Sequence, residues 1–228
     1  MDAEAIRITL PDGTSVSGLW QAPAGAKAAL VLAHGAGAGM THRSMAATAN
    51  GLADRGIAVL RYQFPYMEKG GKRVDPPPVA HAAVRAAAAE ARRLAPQLPL
   101  FAGGRSFGGR MTSQAQAAQP LEGVIGLVFF AFPLHPAGKP STERAAHLAE
   151  VKVPMLFLSG TKDTLAELEL MRPVVTGLGE RATLALFDDA DHSFHVPART
   201  GRKDAVVMAE ILDTAATWMA AHAMQEAR

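Results

Sequence analysis

Two hydrophobic rhythms run along this chain. Ile6-Arg7-Ile8-Thr9-Leu10 alternates, Pro11-Asp12-Gly13-Thr14 carries turn chemistry, and Ser15 to Trp20 alternates again. A period of two on each side of a turn predicts a β-hairpin with one covered face. Ala28-Ala29-Leu30-Val31-Leu32-Ala33 is apolar without a break, as in a strand covered by helices on both faces. From there one plan repeats: apolar strand, loop, helix. Strands are predicted near Ile57 to Arg61, Leu98 to Ala102, Val124 to Phe130, Val153 to Leu158 and Ala182 to Leu186, with helix-length segments between them. Pro76-Pro77-Pro78 is a stiff stop before an alanine-rich helix, Val79 to Leu94, whose Arg85, Glu90, Arg92 and Arg93 supply a solvent face. A last helix, Lys203 to His222, sets Val207, Ile211, Ala215, Trp218 and Met219 on one stripe that reads as core. This alternation predicts the α/β class: a doubly wound, mostly parallel sheet of about eight strands with helices on both faces. In such sheets ligands bind beyond the carboxyl ends of the strands, so the loops there are where chemistry is expected.

One of those loops carries a motif. Gly104-Arg105-Ser106-Phe107-Gly108 is a G-x-S-x-G with a buried strand before it and a helix, Gly109 to Ala118, after it. A serine at a strand-to-helix turn is held in a strained conformation that exposes its hydroxyl, and small neighbours let strand and helix approach closely. The bland alternative is a glycine-rich turn whose serine caps the helix. A serine hydroxyl is a poor nucleophile unless a base stands within hydrogen-bond reach and an acceptor fixes the tautomer of that base. Among eight histidines, His192 lies in a polar, turn-forming loop between the last strand and the last helix and is the expected base. His195 is its competitor, His81, His147 and His222 fall in predicted helices, and His135 follows a strand and is expected to line the pocket. The expected acid is Asp163, in the turn after Met155-Leu156-Phe157-Leu158, with capping as its structural role and Asp191 as the alternative acid. Donors for an oxyanion are expected from the amide of Phe107 and one amide of Gly35 or Ala36, in the loop His34-Gly35-Ala36-Gly37-Ala38-Gly39. His34 reads as a residue orienting that loop. A phosphate nest there fails the G-x-G-x-x-G template, and no Gly-Lys-Ser/Thr appears in the chain.

Composition narrows the rest. With 228 residues, 49% hydrophobic and 19% charged, the chain is expected to form one globular domain over 1–228. It contains no Cys, which removes disulfides, thiolate nucleophiles and sulfur metal sites and suits a reducing compartment. There is no His-Glu-x-x-His, and neither a metal nor a cofactor is expected. Met1-Asp2-Ala3-Glu4-Ala5 lacks the features of a secretory leader, and the longest apolar run, Val124 to Pro133, is too short to span a bilayer. A cytoplasmic protein without membrane contact is expected. The net charge of +2 is scattered, which does not imply nucleic acid. Lys69-Gly70-Gly71-Lys72-Arg73 reads as a solvated basic turn, with a substrate-facing patch that would favour negatively charged substrates as the alternative.

The order Ser106, Asp163, His192, with His34-Gly35 before the first major helix and a hairpin at the N-terminus, resembles the α/β-hydrolase superfamily over nearly the whole chain. More narrowly, Ala33 to Gly39, Arg61-Tyr62-Gln63-Phe64-Pro65-Tyr66, Gly103 to Gly109 and Ala190-Asp191-His192-Ser193-Phe194 are similar to the patterns of its small, lidless, dienelactone-hydrolase-like branch. The chain departs from true dienelactone hydrolases in having serine where they have cysteine, and it has no insertion after Val124 to Phe130 large enough for a cap domain. The resemblance implies a serine hydrolase working through an acyl-enzyme on a small-molecule acyl substrate, with a carboxylesterase expected first. A thioesterase or peptidase with the same triad, or a non-catalytic module on the same fold, are the alternatives. Phe64, Tyr66, Phe107, Phe132, Leu134 and Phe194, just past strand ends, are expected to wall the pocket.

Overall fold

The computed structural model describes residues 2–226. The chain runs through β1 (Glu4–Thr9), β2 (Ser15–Gln21), β3 (Ala28–Ala33), α1 (Arg43–Ala53), β4 (Ile57–Tyr62), a short α2 (Pro65–Glu68) and α3 (Pro77–Leu94). It continues through β5 (Leu100–Arg105), α4 (Phe107–Ala118), β6 (Val124–Phe130), β7 (Met155–Gly160), α5 (Leu168–Leu178), β8 (Ala182–Phe187) and α6 (Asp204–Glu226). All eight strands form one sheet in the order β1-β2-β4-β3-β5-β6-β7-β8, antiparallel where β2 meets β1 and β4 and parallel from β4 to β8. The predicted α/β architecture, including the N-terminal antiparallel pair, is the observed one. No described helix is long and apolar enough to cross a membrane.

The uninterrupted apolar run of β3 has the cause expected of it. All six of its residues are buried. Ala29, Val31 and Ala33 point into one core cluster with α3, α4 and α5, while Ala28, Leu30 and Leu32 point into another with α1 and α6. Alternation across the pleat therefore serves two hydrophobic layers, and each buried leucine contributes roughly 1.5–3 kcal/mol. The stripe read along the last helix, Val207, Ile211, Ala215, Trp218 and Met219, lies wholly in the second cluster. Arg85 is a correction: it leaves the solvent face of α3 to donate to the carbonyls of Ala115 (2.7 Å), which also accepts the Gln119 N–H, and of Gln119 (2.9 Å), at the end of α4.

The segment between β6 and β7 holds only a 3-10 stretch, Glu143–Glu150, packed on α4 through Ala145 and Leu148, and there is no large cap. From β3 the chain turns outward to β4 and then crosses back to β5 on the other side, so the direction of winding reverses between β3 and β5. A crevice opens at the carboxyl ends of strands where such a reversal occurs. The loops of Gly35 and Ser106 leave the sheet there.

Candidate active site

Ser106 sits between the last residue of β5 and the first of α4, with φ 49° and ψ −116°. A non-glycine residue in that region stores on the order of 1–3 kcal/mol, so its surroundings must hold it. Its N–H donates to the Phe130 carbonyl at 3.0 Å, and the Arg110 N–H takes its own carbonyl at 3.1 Å. The turn is closed by contact with β3: a Cβ at Gly104 would lie 2.5 Å from the Ala33 oxygen, and one at Gly108 2.5 Å from the His34 oxygen. Only hydrogen fits at either position, which is the physical content of the motif's two glycines.

The His192 Nε2 lies 2.8 Å from the Ser106 Oγ, and its Nδ1 lies 2.8 Å from the Asp163 Oδ2. A carboxylate can only accept, so Nδ1 carries the proton and Nε2 is left to accept from the serine hydroxyl. Asp163, whose side chain is fully buried, also accepts the Leu165 N–H through Oδ1 at 2.8 Å, so its second oxygen is fixed as well. It caps its own turn and meets the imidazole at once. Asp191 is occupied elsewhere, since its Oδ1 accepts the N–H groups of Ser193 (2.7 Å) and His195 (2.9 Å) and so shapes the loop that carries His192. His195 turns away and pairs with Asp204 at 2.8 Å on the surface, which raises its pKa.

The loop after β3 is tied down by His34, which is completely buried. Its Nε2 accepts the Phe64 N–H at 3.0 Å, so Nδ1 must be the protonated nitrogen, and that nitrogen donates to the Gly35 carbonyl at 2.7 Å. Burial lowers the His34 pKa, in keeping with a neutral ring. The Gly35 carbonyl and the Ala36 N–H belong to one planar trans peptide, so holding the first on one side directs the second to the other. Ala36 lines the cavity above Ser106, and neither its N–H nor that of Phe107 has a partner among the described residues. A helix N-terminus leaves its first amides unpaired, which makes Phe107 a natural donor.

That cavity, about 330 Å³, is walled by Gly35 to Ala38, His42, Ser44, Met45, Arg105, Leu165, His192 and Ser193. The residues expected as its walls are elsewhere. Phe64, Phe132, Leu134, His135 and Phe194 are at most 1% exposed and Tyr66 is 5% exposed, all facing inward. Side chains just past the ends of buried strands continue the core rather than leaving it, and the wall is built instead from the next few loop residues. His135 pairs with Glu167 and lines no part of the cavity. Arg105, which the sequence reading passed over, stands in the wall with its guanidinium 5.7 Å from the Phe194 ring centre. Its signal was available: strand alternation places the residue before the serine on one side of the turn. Lys69 and Lys72 do not reach this cavity, and Arg73 borders a neighbouring one.

A family model described as alpha/beta hydrolase domain matches residues 26–220. A protein of Xanthomonas campestris, described as an α/β serine hydrolase without lid, superposes with a TM-score of 0.74 at 22% identity, covering 96% of this chain and 95% of that one. A dienelactone hydrolase of Anabaena variabilis gives 0.76 at 19%, covering 95% and 96%, and an esterase of Pyrococcus furiosus gives 0.72 at 17%, covering 93% and 91%. At these identities the solved structures establish a shared fold.

Proposed function

The chain belongs to the alpha/beta hydrolase domain family, and from that premise we propose that it is a serine hydrolase working through an acyl-enzyme, most specifically a carboxylesterase on small acyl esters. The observation that carries this reading is the unbroken relay of Ser106, His192 and Asp163, both links being 2.8 Å long. In the proposed reaction Ser106 Oγ attacks the ester carbonyl as His192 Nε2 takes its proton, and Asp163 stabilises the imidazolium that forms. The developing oxyanion is received by the N–H groups of Phe107 and Ala36. The tetrahedral intermediate collapses, the alcohol leaves with the proton from His192, and a water activated by the same imidazole releases the acid. That a dienelactone hydrolase and an esterase share this fold supports ester chemistry. An assembled and accessible relay argues against a purely non-catalytic module.

The test is labelling of the intact protein with a fluorophosphonate probe, alongside a panel of short and long acyl esters and thioesters. Labelling and ester turnover that both vanish in Ser106→Ala, with kcat down roughly 10⁴-fold or more, support the reading. A folded parent protein that is neither labelled nor active on any ester would sink it, and faster thioester than ester turnover would move it to a thioesterase.

A further inference from the structure

Arg110 stands one helical turn beyond Ser106 on α4 and is half-buried. Its Nε is buried without a hydrogen-bond partner, and among the described residues its guanidinium forms no ion pair. Its one specific contact is with the Phe107 ring, 5.9 Å from the ring centre. The charges near it have the same sign. Arg144, on the 3-10 stretch, adds to burial in lowering the Arg110 pKa. His147, bonded to the Ser113 hydroxyl at 2.8 Å, is pushed down to about 4 by burial and then by Arg110 and His81. His81 itself is lowered by burial, with Arg85 and Arg110 adding to it. Both imidazoles therefore favour the neutral form at pH 7, and among the described residues neither Arg110 nor Arg144 forms an ion pair.

A cation withdrawn from water without a partner is costly, and an arginine offers a planar fork of donors matched to a carboxylate. Space for one is present. A cavity of about 540 Å³ lies between the segment Arg73 to Pro77 and α4, bounded on the helix side by Phe107, Arg110 and Met111. The wall also holds a carboxylate, Asp75, whose Oδ2 accepts the Tyr66 N–H at 2.9 Å and which forms no ion pair with Arg110 among the described residues. Phe107 forms a wall of this cavity and directly follows Ser106 in the chain, so the cavity lies beside the serine, though its lining is separate from that of the cavity above Ser106.

We propose that this cavity is an anion subsite in which Arg110, with Arg73 at the rim, holds the distal carboxylate of the substrate, so that the preferred esters are monoesters of dicarboxylic acids. The ester half of this statement rests on the hydrolase reading above, and the anion half does not. The four steps from Ser106 to Arg110 rise ~6 Å along the helix axis, so a short chain between carboxylate and ester is expected.

Monomethyl succinate, glutarate, adipate and suberate are compared with methyl esters of unbranched acids of matched length, at physiological salt so that long-range steering is screened. The quantity read is the ratio of kcat/KM for the anionic ester to that for its neutral match. The expected ratio is above one for at least one chain length and falls about tenfold or more in Arg110→Gln, the scale of a charge-assisted hydrogen bond. Lys69→Ala with Lys72→Ala leaves it in place. A ratio equal in parent and Arg110→Gln overturns the proposal, as does a ratio that falls with the lysines instead. Should Arg110→Gln not fold, Arg110→Met, which matches the neighbouring Phe107 and Met111, serves the same comparison. A second arm needs no turnover: adipate titrated by calorimetry into Ser106→Ala is expected to bind, and binding is expected to be lost when Arg110→Gln is added. If the parent hydrolyses no ester, the hydrolase reading fails and this arm still decides, because adipate that does not bind, or binds equally with and without Arg110, removes the subsite.

Discussion

The Tyr66 hydroxyl donates to the Ala36 carbonyl at 2.7 Å, joining the loop after β4 to the loop that crosses above Ser106. Burial pushes the phenol up to about 12, so it remains a donor throughout the neutral and alkaline range. The Ala36 peptide is thus held from two sides, by Tyr66 on its own carbonyl and by His34 on the preceding one. Tyr66→Phe keeps the ring against Phe64 and Phe107 and removes only the oxygen. We expect kcat for ester hydrolysis to fall by about tenfold with KM nearly constant, because the donor would be misplaced for the transition state rather than for the bound ester. An equal change in both constants would count against an orienting role.

Asp163 and Asp191 make opposite predictions. Asp163→Asn presents an amide to His192 and favours the wrong tautomer, so kcat is expected to fall by roughly 10⁴-fold while the fold persists. Asp191→Asn retains an acceptor oxygen for the amides of Ser193 and His195 and is expected to cost less than about tenfold. Steady-state kinetics on one ester with both variants decides, and the reverse order of severity would assign the acid to Asp191.

Gly108 cannot gain even a methyl group. The nearest atom to an added Cβ is the His34 backbone oxygen at 2.5 Å, with the Ala33 oxygen at 2.6 Å. Backbone cannot swing aside as a flexible side chain does, so Gly108→Ala should separate α4 from β3 and destabilise the protein by about 1–3 kcal/mol. Urea unfolding measures this. A midpoint equal to that of the parent would mean that the elbow is looser than the contact distances imply.

The His192 loop is also fastened to α6. Asp204 accepts from the His195 ring at 2.8 Å and from the Val196 N–H at 3.0 Å. The hydrogen bond to Asp204 raises the His195 pKa, and the hydrogen bond to His195 lowers the Asp204 pKa. The histidine contribution is complete below its ordinary value near 6.5 and is lost as pH rises through the raised value. The aspartate contribution is present above its ordinary value near 3.9 and is lost as pH falls through the lowered one. Asp204→Asn should therefore lose most stability at about pH 5.5 and little at about pH 9, read as the gap in urea midpoint from the parent. Both side chains are exposed, so the gap is expected to shrink in high salt. A gap independent of pH would leave the pair without influence.

The positions of the elements were legible because their causes are local. Uninterrupted apolar runs in β3, β6 and β7 announce strands buried on both faces, and the turn around Ser106 carries its glycines in the motif itself. Boundaries moved where a neighbour extended an element: β5 runs on to Arg105 because it pairs with β6 as far as Phe130, and α4 begins at Phe107 directly after the serine. The histidine and carboxylate nearest Ser106 could be read from chain order, since each follows a strand at the same edge. The cavity wall could not. Whether Phe132 or Leu165 faces the serine depends on how two loops fold over each other, as in the Leu134 N–H meeting the Leu165 carbonyl at 2.8 Å, and no periodicity records that. Arg110 was equally silent, because an unpaired cation is recognised only when its neighbours are known.

The stretch from β6 to β7 rises to nothing more than a 3-10 segment laid against α4, so no cap covers the cavity above the half-buried Ser106. Among the described residues no segment is placed to close over that cavity. On the proposed mechanism, turnover is therefore expected to follow the chemistry of acylation and deacylation and to respond little to added viscogen when chemistry is slow. On that mechanism, the same openness would admit water to an acyl-serine, and hydrolysis is expected to prevail over transfer to a second alcohol. It also removes the upper bound on the molecule to which an ester is attached: an acyl group projecting from a much larger body could reach Ser106 as readily as a free one.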